Sequence, residues 1–343
     1  MTSSDPQGGA GSQDAAGRRI AAHPPGNRQR QTQGAARERR ASAPDGFVVV
    51  DKPAGWTSHD VVARMRGLAA TRKVGHAGTL DPMATGVLVI GVGRATRLLT
   101  YVVGEDKEYA TTIRLGVGTT TDDAEGEATT TAGAGAVEQA ALARGVASLT
   151  GDILQVPSSV SAIKVDGQRA YARVRAGQSV ELAARPVTVS RFEVTAQRSA
   201  VVGGTVVLDV DATVVCTSGT YIRALARDLG DMLGTGGHLT MLRRTRVGGY
   251  HLDAAQSLES LQAQVTENGV IDVMALSDAA RATFPVRDLS DAEVTALGYG
   301  KRLVPIGDAR GMHAGISSSN ELIALLEESE ERSQPVVVFA PAV

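Results

Sequence analysis

The chain has one cysteine, no long apolar segment and almost no net charge, and each scarcity excludes a class of protein. A single cysteine, Cys216, excludes an internal disulfide framework and a zinc site built from several cysteines. It lies in the apolar run Val214–Cys216, which is typical of a small buried side chain rather than a nucleophile. No apolar run approaches the ~20 residues of a membrane-spanning helix. Residues 1–44 lack the apolar core of a secretory signal. We therefore expect a cytoplasmic protein that does not associate with a membrane.

The formal net charge of −2 at pH 7 is unlike that of a general polycation. Any binding of nucleic acid therefore depends on local concentrations of Lys and Arg, since these side chains contact phosphates. Two segments provide them: Arg64, Arg66, Arg72, Lys73, Arg94 and Arg97 in the first, and Arg243, Arg244 and Arg246 in the second. Runs of this kind can equally be ordinary solvated surface.

The first 44 residues differ in composition from the rest. They are rich in Gly, Ala, Ser, Gln and Arg, with few large apolar side chains. Such a segment cannot bury enough apolar surface to offset the entropy lost on ordering. We therefore predict a disordered tail over 1–44.

From Gly46 onwards the pattern predicts irregularly mixed strands and helices. Residues Lys107–Leu115 alternate as a half-buried strand does. From Ile222 to Leu233 apolar residues recur at the three-to-four spacing of an amphipathic helix. Ser58 is a suitable N-cap for an earlier helix. Because the elements lack regular βαβ alternation, the α+β class is favoured. A shift at Pro285 towards short segments with turn residues predicts two domains, 45–284 and 285–343.

The segment Arg72–Gly86 contains the most distinctive candidate for chemistry, the carboxylate of Asp81. Pro82 biases Asp81 towards extended geometry, and Gly86 permits a turn or a close backbone approach. A carboxylate held in a stiff loop before the apolar strand Val87–Val92 suits a nucleophile or an acid–base group. The alternative is an Asx-Pro turn whose carboxylate caps its own backbone, and local chemistry alone favours that turn.

Four blocks in order resemble those of one family, the TruB-type tRNA pseudouridine synthases of bacteria. The blocks are Gly46–Asp60, the Asp81 loop, Lys107–Tyr109 and Ser218–Arg223, and the resemblance extends from Gly46 to Val343. It implies a pseudouridine synthase fold, in which a mixed, mostly antiparallel sheet is flanked by helices. A small, mostly β, PUA-like RNA-binding domain would follow. The implied activity is isomerisation of the uridine at position 55, in the tRNA T-loop, after that base is flipped out.

The resemblance implies three catalytic residues. Asp81 corresponds to the catalytic aspartate, Arg223 to the arginine that pairs with it, and Tyr109 to an active-site tyrosine. The tyrosine could stack on the flipped base and handle a proton. Read without the resemblance, a tyrosine in a strand is more often packing, and an arginine on a helix more often faces solvent.

Three further residues are implied to bind the substrate or to support the site. Tyr221 corresponds to a pocket tyrosine, with packing at the helix start as the alternative. His76 corresponds to a histidine that contacts RNA near the flipped nucleotide, although a lone histidine is usually structural. Lys52 belongs to the first block, and we expect it to support the active-site loops, with phosphate contact as a second interpretation.

The reaction implied needs no cofactor, because every atom of the product is already in the substrate. No metal is expected either, since His76 has no second histidine or carboxylate at ligand spacing. The resemblance implies the tRNA T-arm as partner and a monomer without an obligate protein partner. Two alternatives stay open: a guide-RNA-dependent pseudouridine synthase, and a protein that binds or folds tRNA without catalysis.

Overall fold

The computed structural model describes residues 40–158, 164–165, 168–169, 182–307 and 309–339. Most of the predicted tail, residues 1–39, lies outside this part of the chain. Residues 40–343 form one compact unit. At its start, the amide of Ala43 donates to the carbonyl of Ala69 (2.9 Å), and Ser42 Oγ donates to the carbonyl of Ala70 (3.0 Å).

The described residues contain eighteen strands. They are β1 Gly46–Lys52, β2 Val74–Ala77, β3 Thr85–Val92, β4 Lys107–Leu115, β5 Gly118–Thr119, β6 Ala128–Thr130, β7 Gly151–Gln155, β8 Lys164–Val165, β9 Gln168–Arg169, β10 Arg185–Val202, β11 Thr205–Cys216, β12 Gly237–Val247, β13 Tyr250–His251, β14 Met274–Ala275, β15 Val286–Leu289, β16 Gly311–Ser317, β17 Leu322–Glu328 and β18 Ser333–Val338.

A ten-stranded mixed sheet organises the molecule, in the order β14-β1-β3-β12-β4-β11-β10-β7, with β2 paired to β3 and β13 to β12. Its pairs are antiparallel except that β12 runs parallel to β3. Strand β12 lies between β3, which follows the Asp81 loop, and β4, which carries Tyr109. The predicted mixed, mostly antiparallel sheet is confirmed.

Seven α-helices occur in the described residues: α1 Ser58–Leu68, α2 Leu99–Gly104, α3 Gln139–Ser148, α4 Ile222–Met232, α5 Leu258–Asn268, α6 Leu276–Arg281 and α7 Asp291–Gly298. Helices α3 and α4 cover one region of the sheet, where Leu142, Leu225 and Leu229 join a core with Ile113 and Val210. Helices α1 and α5 enclose a second core, with the buried side chains Val61, Met65 and Leu261. The helices therefore flank the sheet, as expected.

The C-terminal part is a small four-stranded sheet, in the order β15-β16-β17-β18, with helix α7 against it. Its side chains Ala314, Ile316 and Phe339 share one buried cluster with Phe47 and Val87 of the large sheet. Arg94 Nη1 also donates to the carbonyl of Phe339 (2.6 Å). The small sheet is thus continuous in packing with the large one.

The prediction for the start of α1 was wrong by one residue, and the difference matters for the site. Thr57, not Ser58, is the N-cap: it accepts from the amide of Asp60, whose carboxylate bonds back to the amide of Thr57 in a capping box. Ser58 is the first helical residue and is buried. Its hydroxyl is therefore available for the loop that carries Asp81.

Candidate active site

Asp81 lies in the turn between β2 and β3, and three anchors fix that turn. Ser58 Oγ accepts from the amide of Leu80 (2.9 Å) and donates to its carbonyl (3.2 Å). The carbonyl of Pro82 accepts from the amide of Gly55 (2.8 Å). The carboxylate itself remains 37% exposed. The first two sequence blocks are therefore joined by hydrogen bonds on both sides of a reachable carboxylate.

Gly86 closes this turn by a contact that no other residue would permit. It has φ +100°, and a Cβ here would lie 2.2 Å from the carbonyl oxygen of Arg244. The two residues are register partners in the β3–β12 pair. Glycine is therefore required for strand β12 to approach the Asp81 turn.

Lys52 is the third anchor and is completely buried. Its ammonium group donates to the carbonyls of Pro53 (3.0 Å), Trp56 (2.6 Å) and Pro82 (3.1 Å). Burial lowers the pKa of Lys52 to about 8, and the nearby negative charge of Asp81 opposes that shift. The geometry agrees with a role in supporting the loops and presents no ammonium surface to a phosphate.

Arg223 lies beside Asp81, although 142 residues separate them in sequence. Its Nε donates to Asp81 Oδ2 at 2.9 Å, and its Nη1 donates to the carbonyl of Thr121 at 2.9 Å. Nη1 is also 3.3 Å from Oδ2 of Asp123, and both side chains of this second pair are about 5% exposed. The guanidinium therefore connects an accessible carboxylate to a buried one.

A cavity of about 310 Å³ opens beside Asp81. Its lining includes Gly78, Thr79, Leu80, Asp81, Lys107, Tyr109, Tyr221, Ile222, Leu242 and Arg244. Asp81, Tyr109 and Tyr221, each predicted from a different block, thus meet at one cavity. A larger cleft of about 820 Å³ lies between α3, β7 and the end of α4, and none of the predicted site residues lines it.

Tyr109 forms part of the cavity wall and is buried. It stands opposite Arg244 in the β4–β12 register. Burial raises the pKa of the Tyr109 phenol, and the adjacent Arg244 guanidinium opposes the shift. The phenol is therefore neutral at neutral pH and can donate a hydrogen bond or a proton.

Tyr221 is the N-cap residue of α4 and is held through its backbone. Its amide donates to Gln155 Oε1 (2.8 Å), and its carbonyl accepts from Gln155 Nε2 (3.0 Å). This pair of bonds ties the start of α4 to the edge strand β7. It fixes the helix end from which Arg223 reaches Asp81.

His76 is placed differently from the other predicted residues. It lies in β2, outside the cavity lining, with its ring 5.7 Å from the ring of His59 in an edge-to-face arrangement. Burial is the main cause that lowers the pKa of His76, and the nearby His59 acts in the same direction. His76 is therefore a neutral ring at neutral pH, set beside the Asp81 turn rather than inside the cavity.

Two cavity residues, Lys107 and Arg244, were not predicted to belong to the site. In the sequence Lys107 is an ordinary lysine at the start of a strand, and Arg244 is one member of a basic run. Arg244 is buried, with Nε donating to the carbonyl of Val87 (2.7 Å) and Nη2 to that of Gly78 (3.1 Å). Lys107 is buried too, and its Nζ donates to the carbonyl of Val103 (2.8 Å). Burial lowers the pKa of Lys107 to about 8. Both side chains add positive charge to the wall around Asp81.

The second basic segment does not form a surface for phosphates. Arg243 pairs with Asp51 (2.7 Å), and Arg246 makes two bonds of 2.8 Å to Asp106. Arg244 is internal, as described above. These arginines are paired with carboxylates or enclosed within the protein, which disfavours the phosphate-binding alternative for this segment.

Asp123 also went unrecognised, because an acidic, Thr-rich stretch is typical of an exposed loop. In fact Asp123 is 4% exposed, and its carboxylate accepts from Thr121 Oγ1 and from the amide of Glu125 (3.1 Å). No local sequence signal distinguishes it from the neighbouring acids. Asp123 is distinguished only in the folded chain, by its ion pair with Arg223.

The described residues contain no group of three or more His, Cys, Asp and Glu side chains arranged to hold a metal ion. None of their helices is long and apolar enough to cross a membrane.

Comparison with known proteins identifies relatives over most of the chain. The TruB family pseudouridylate synthase (N terminal domain) profile matches residues 66–222. The tRNA pseudouridylate synthase B C-terminal domain matches 223–279, and the tRNA Pseudouridine synthase II, C terminal, domain matches 284–340. The tRNA pseudouridine synthase B of Arthrobacter sp. (strain FB24) is 57% identical over 305 residues, which cover 87% of this chain and 97% of the relative. That of Streptomyces griseus is 54% identical over 302 residues, which cover 88% and 99%.

Two solved structures share the fold. A chain of a Cbf5-Nop10-Gar1 complex superimposes with a TM-score of 0.65 at 27% identity, over 87% of this chain and 85% of that one. A chain of an H/ACA RNP bound to a substrate RNA containing 2′-deoxyuridine gives 0.64 at 26% identity, over 87% and 86%. The pseudouridine synthase fold expected from four sequence blocks is confirmed. The chain belongs to the TruB family of pseudouridylate synthases.

Proposed function

We propose that this protein isomerises uridine to pseudouridine in tRNA, at position 55 of the T-loop, with Asp81 as the catalytic carboxylate. The observation that carries the proposal is the Asp81–Arg223 contact of 2.9 Å at the cavity beside Tyr109, in a chain of this family. The relatives named above are tRNA pseudouridine synthases.

The reaction rearranges a single nucleotide. The bond between N1 of uracil and C1′ of ribose breaks, the base turns, and C5 bonds to C1′. The proton on C5 leaves and N1 gains one, so no atom or electron enters from outside. The protein must therefore supply two groups. One assists departure of the base, and the other moves a proton.

The cavity is suited to a base that has left its stack. At about 310 Å³ it lies at the small end of the range for ligand sites, and a base in folded RNA reaches such a site only by flipping. Arg244 lines the wall beside Asp81, and Arg223 contacts the Asp81 carboxylate directly, so two fixed positive charges lie at the cavity. Charges held in place before the reaction stabilise negative charge that develops on the base without further reorganisation.

Each polar residue then has a distinct part. Asp81 acts on the flipped nucleotide, and Arg223 holds its carboxylate in a fixed orientation. Asp123 is a positioning residue, because its carboxylate holds Arg223 and does not line the cavity. Tyr109 stacks on the base and supplies or relays a proton, and Tyr221 forms part of the pocket.

We further propose that 45–284 form the catalytic domain, and that 285–343 form a PUA-like domain that binds RNA outside the target loop. The tail over 1–44 is proposed to contribute no catalytic group, because it contains none of the four blocks. The protein is proposed to act as a cytoplasmic monomer, with Lys52 supporting the active-site loops and His76 contacting the RNA near the flipped nucleotide.

A guide-RNA-dependent activity is the second candidate, favoured by the structural likeness to chains from the Cbf5-Nop10-Gar1 complex and the H/ACA RNP. The two candidates differ in what the purified chain requires. A stand-alone enzyme modifies bare tRNA, whereas a guide-dependent enzyme needs an additional RNA and partner proteins. The much higher identity to the tRNA enzymes favours the stand-alone activity.

The test is carbodiimide mapping of pseudouridine in unmodified tRNA after incubation with the purified chain alone. We expect one new pseudouridine, at position 55, and none with the Asp81→Asn variant. Binding of tRNA without any pseudouridine, by correctly folded protein, would instead indicate a tRNA-binding or folding protein.

A further inference from the structure

A group of exposed cations surrounds the C-terminal end of α1, at a distance from the cavity. Its members are Arg40, Arg64, Arg66, Arg72 and Lys73, and we call them the α1 patch. Arg40 is held there because its Nη2 donates to the carbonyl of Gly67 (2.6 Å) at the helix end. Arg64 Nη2 donates to Gln262 Oε1 (2.8 Å). The patch is therefore built from two parts of the chain that meet at one helix end.

The acids nearest in sequence form their ion pairs and hydrogen bonds outside this patch. Asp45 pairs with Arg94 and accepts a hydrogen bond from its backbone amide (2.8 Å), and its charge also acts on Lys73. Asp51 pairs with Arg243, and Asp60 is occupied in capping the opposite end of α1. Glu259 on α5 faces Arg64 only, and both are exposed.

Arg66 and Arg72 have no ion pair among the described residues. Like charges that lie together on a surface without ion-pair partners attract a polyanion, and these two side chains meet that description. Of the first basic segment named in the sequence analysis, Arg64, Arg66, Arg72 and Lys73 therefore belong to the α1 patch. Arg94 and Arg97 do not belong to it, because Arg94 pairs with Asp45 and both guanidinium groups lie against the C-terminal sheet, at the carbonyls of Phe339 (2.6 Å) and Val338 (2.7 Å).

The position of the patch relative to Asp81 follows from the two elements that join them. Helix α1 begins at Ser58, which bonds to Leu80, and its 11 residues extend about 16 Å to the patch. Strand β2 leads from Lys73 towards the Asp81 turn, and its 4 residues span about 13 Å. Both elements place the patch at the end remote from the Asp81 turn. The small C-terminal sheet adjoins that same end through Arg94 and Phe339.

We infer that the α1 patch binds the phosphate backbone of the RNA substrate, roughly four to five base pairs from the flipped uridine, given about 3.4 Å per phosphate along one strand. This inference rests on the proposed function. On this inference, the patch contacts the part of the RNA that extends from the cavity towards the C-terminal sheet. Contacts of this kind position the RNA and carry no sequence information.

The experiment compares Arg66→Gln/Arg72→Gln with the matched control Arg144→Gln/Arg332→Gln, which removes the same charge from exposed arginines elsewhere. Affinity for full-length tRNA is measured over a series of salt concentrations. Each lost phosphate contact lowers the slope of log K against log salt by about 0.7–0.9. We expect the patch variant to lose about 1.5 from the slope and to bind more weakly at low salt, while the control keeps the parent slope.

A short hairpin that carries the target loop on two base pairs provides the second comparison. It cannot reach the patch, so we expect the parent and the patch variant to bind it equally. An unchanged slope on tRNA, an equal loss in the control, or an equal loss on the short hairpin would each overturn the inference. These outcomes are distinct from failure of the proposed function, in which the parent protein itself would form no pseudouridine.

Discussion

Arg223 Nε lies 2.9 Å from Asp81 Oδ2, while Nη1 of the same guanidinium is held by the carbonyl of Thr121. The arginine enters from the start of α4 and the aspartate from the turn before β3. A planar group fixed at two edges cannot rotate, so it determines the direction in which the carboxylate points. This relationship is the basis of the first predictions.

Replacing Arg223 by Lys keeps the charge and removes the planar fork. A single ammonium cannot hold Asp81, Thr121 and Asp123 in their present geometry. Misplacement of a catalytic group by about 1 Å can cost on the order of 100-fold in rate, so we expect a loss of that order in the single-turnover rate. Affinity for tRNA, measured by filter binding, should stay near the parent value. Weaker binding with a fast chemical step would instead make Arg223 a phosphate contact.

Asp81→Asn is nearly isosteric and should leave the turn and RNA binding intact. The amide can neither attack as a nucleophile nor accept a proton at neutral pH. We expect less than about a thousandth of the parent rate, as is usual on loss of a nucleophile. The measurement is single-turnover pseudouridine formation with saturating enzyme. A rate well above that level would remove Asp81 from the catalytic role.

Asp123 and Asp122 are adjacent buried carboxylates, and they pair with Arg223 and Arg227 respectively. Substitution of one is therefore a matched control for substitution of the other. Asp123→Asn removes the counter-charge of a buried arginine and so allows Arg223 to shift. Asp122 has φ +60°, a conformation that Asn tolerates, and its ion-pair partner is Arg227 (3.3 Å) rather than Arg223. We expect Asp123→Asn to lower the single-turnover rate by at least about tenfold and Asp122→Asn to leave it near the parent value. Similar rates for the two variants would contradict a positioning role for Asp123.

Tyr109→Phe keeps the ring and removes only the phenol. Because burial raises the pKa of Tyr109, the parent side chain is protonated at neutral pH and is a donor. We expect tRNA affinity to persist while the single-turnover rate falls by about 100-fold or more, in the range for loss of a general acid. Equal losses in affinity and rate would indicate that the ring serves packing alone.

Lys52→Met leaves three buried carbonyl oxygens without their donor. We expect the free energy of unfolding to fall by about 2–4 kcal/mol, measured by urea denaturation. Lys301→Met, at an exposed lysine, is the control and should change it by less than about 0.5 kcal/mol.

The same variant has a predicted pH dependence. Burial lowers the pKa of Lys52 to about 8 in the folded protein, whereas an unfolded lysine has a pKa of about 10.4. Between these values the unfolded chain holds a proton that the folded chain has lost, so the stability of the parent rises with pH relative to Lys52→Met. The difference in unfolding free energy should therefore grow from pH 8 to pH 10 and be constant below pH 8. A constant difference over the whole range would show that the ammonium is not destabilised by burial.

Local patterns were sufficient for much of the fold. Strand β4 has the bounds that its alternation predicts, and helix α4 begins at Ile222 as its apolar spacing predicts. Both signals lie within a few consecutive residues. The N-cap of α1 was placed one residue late because Thr57 and Ser58 are equally good caps by composition. Only the packing of Ser58 against Leu80 distinguishes them.

The sequence by itself determined the family and the mixed sheet, and it singled out Asp81, Tyr109, Tyr221 and Arg223 as candidates, because short motifs and periodicities carry that information locally. Tertiary structure decided which charges are available. Arg243, Arg244 and Arg66 look alike in the sequence, yet one is paired, one is enclosed and one is exposed. The role of Asp123 was decided in the same way, by a partner 100 residues further along. Charge is a property of the residue, whereas its neutralisation depends on neighbours that only the folded chain brings together.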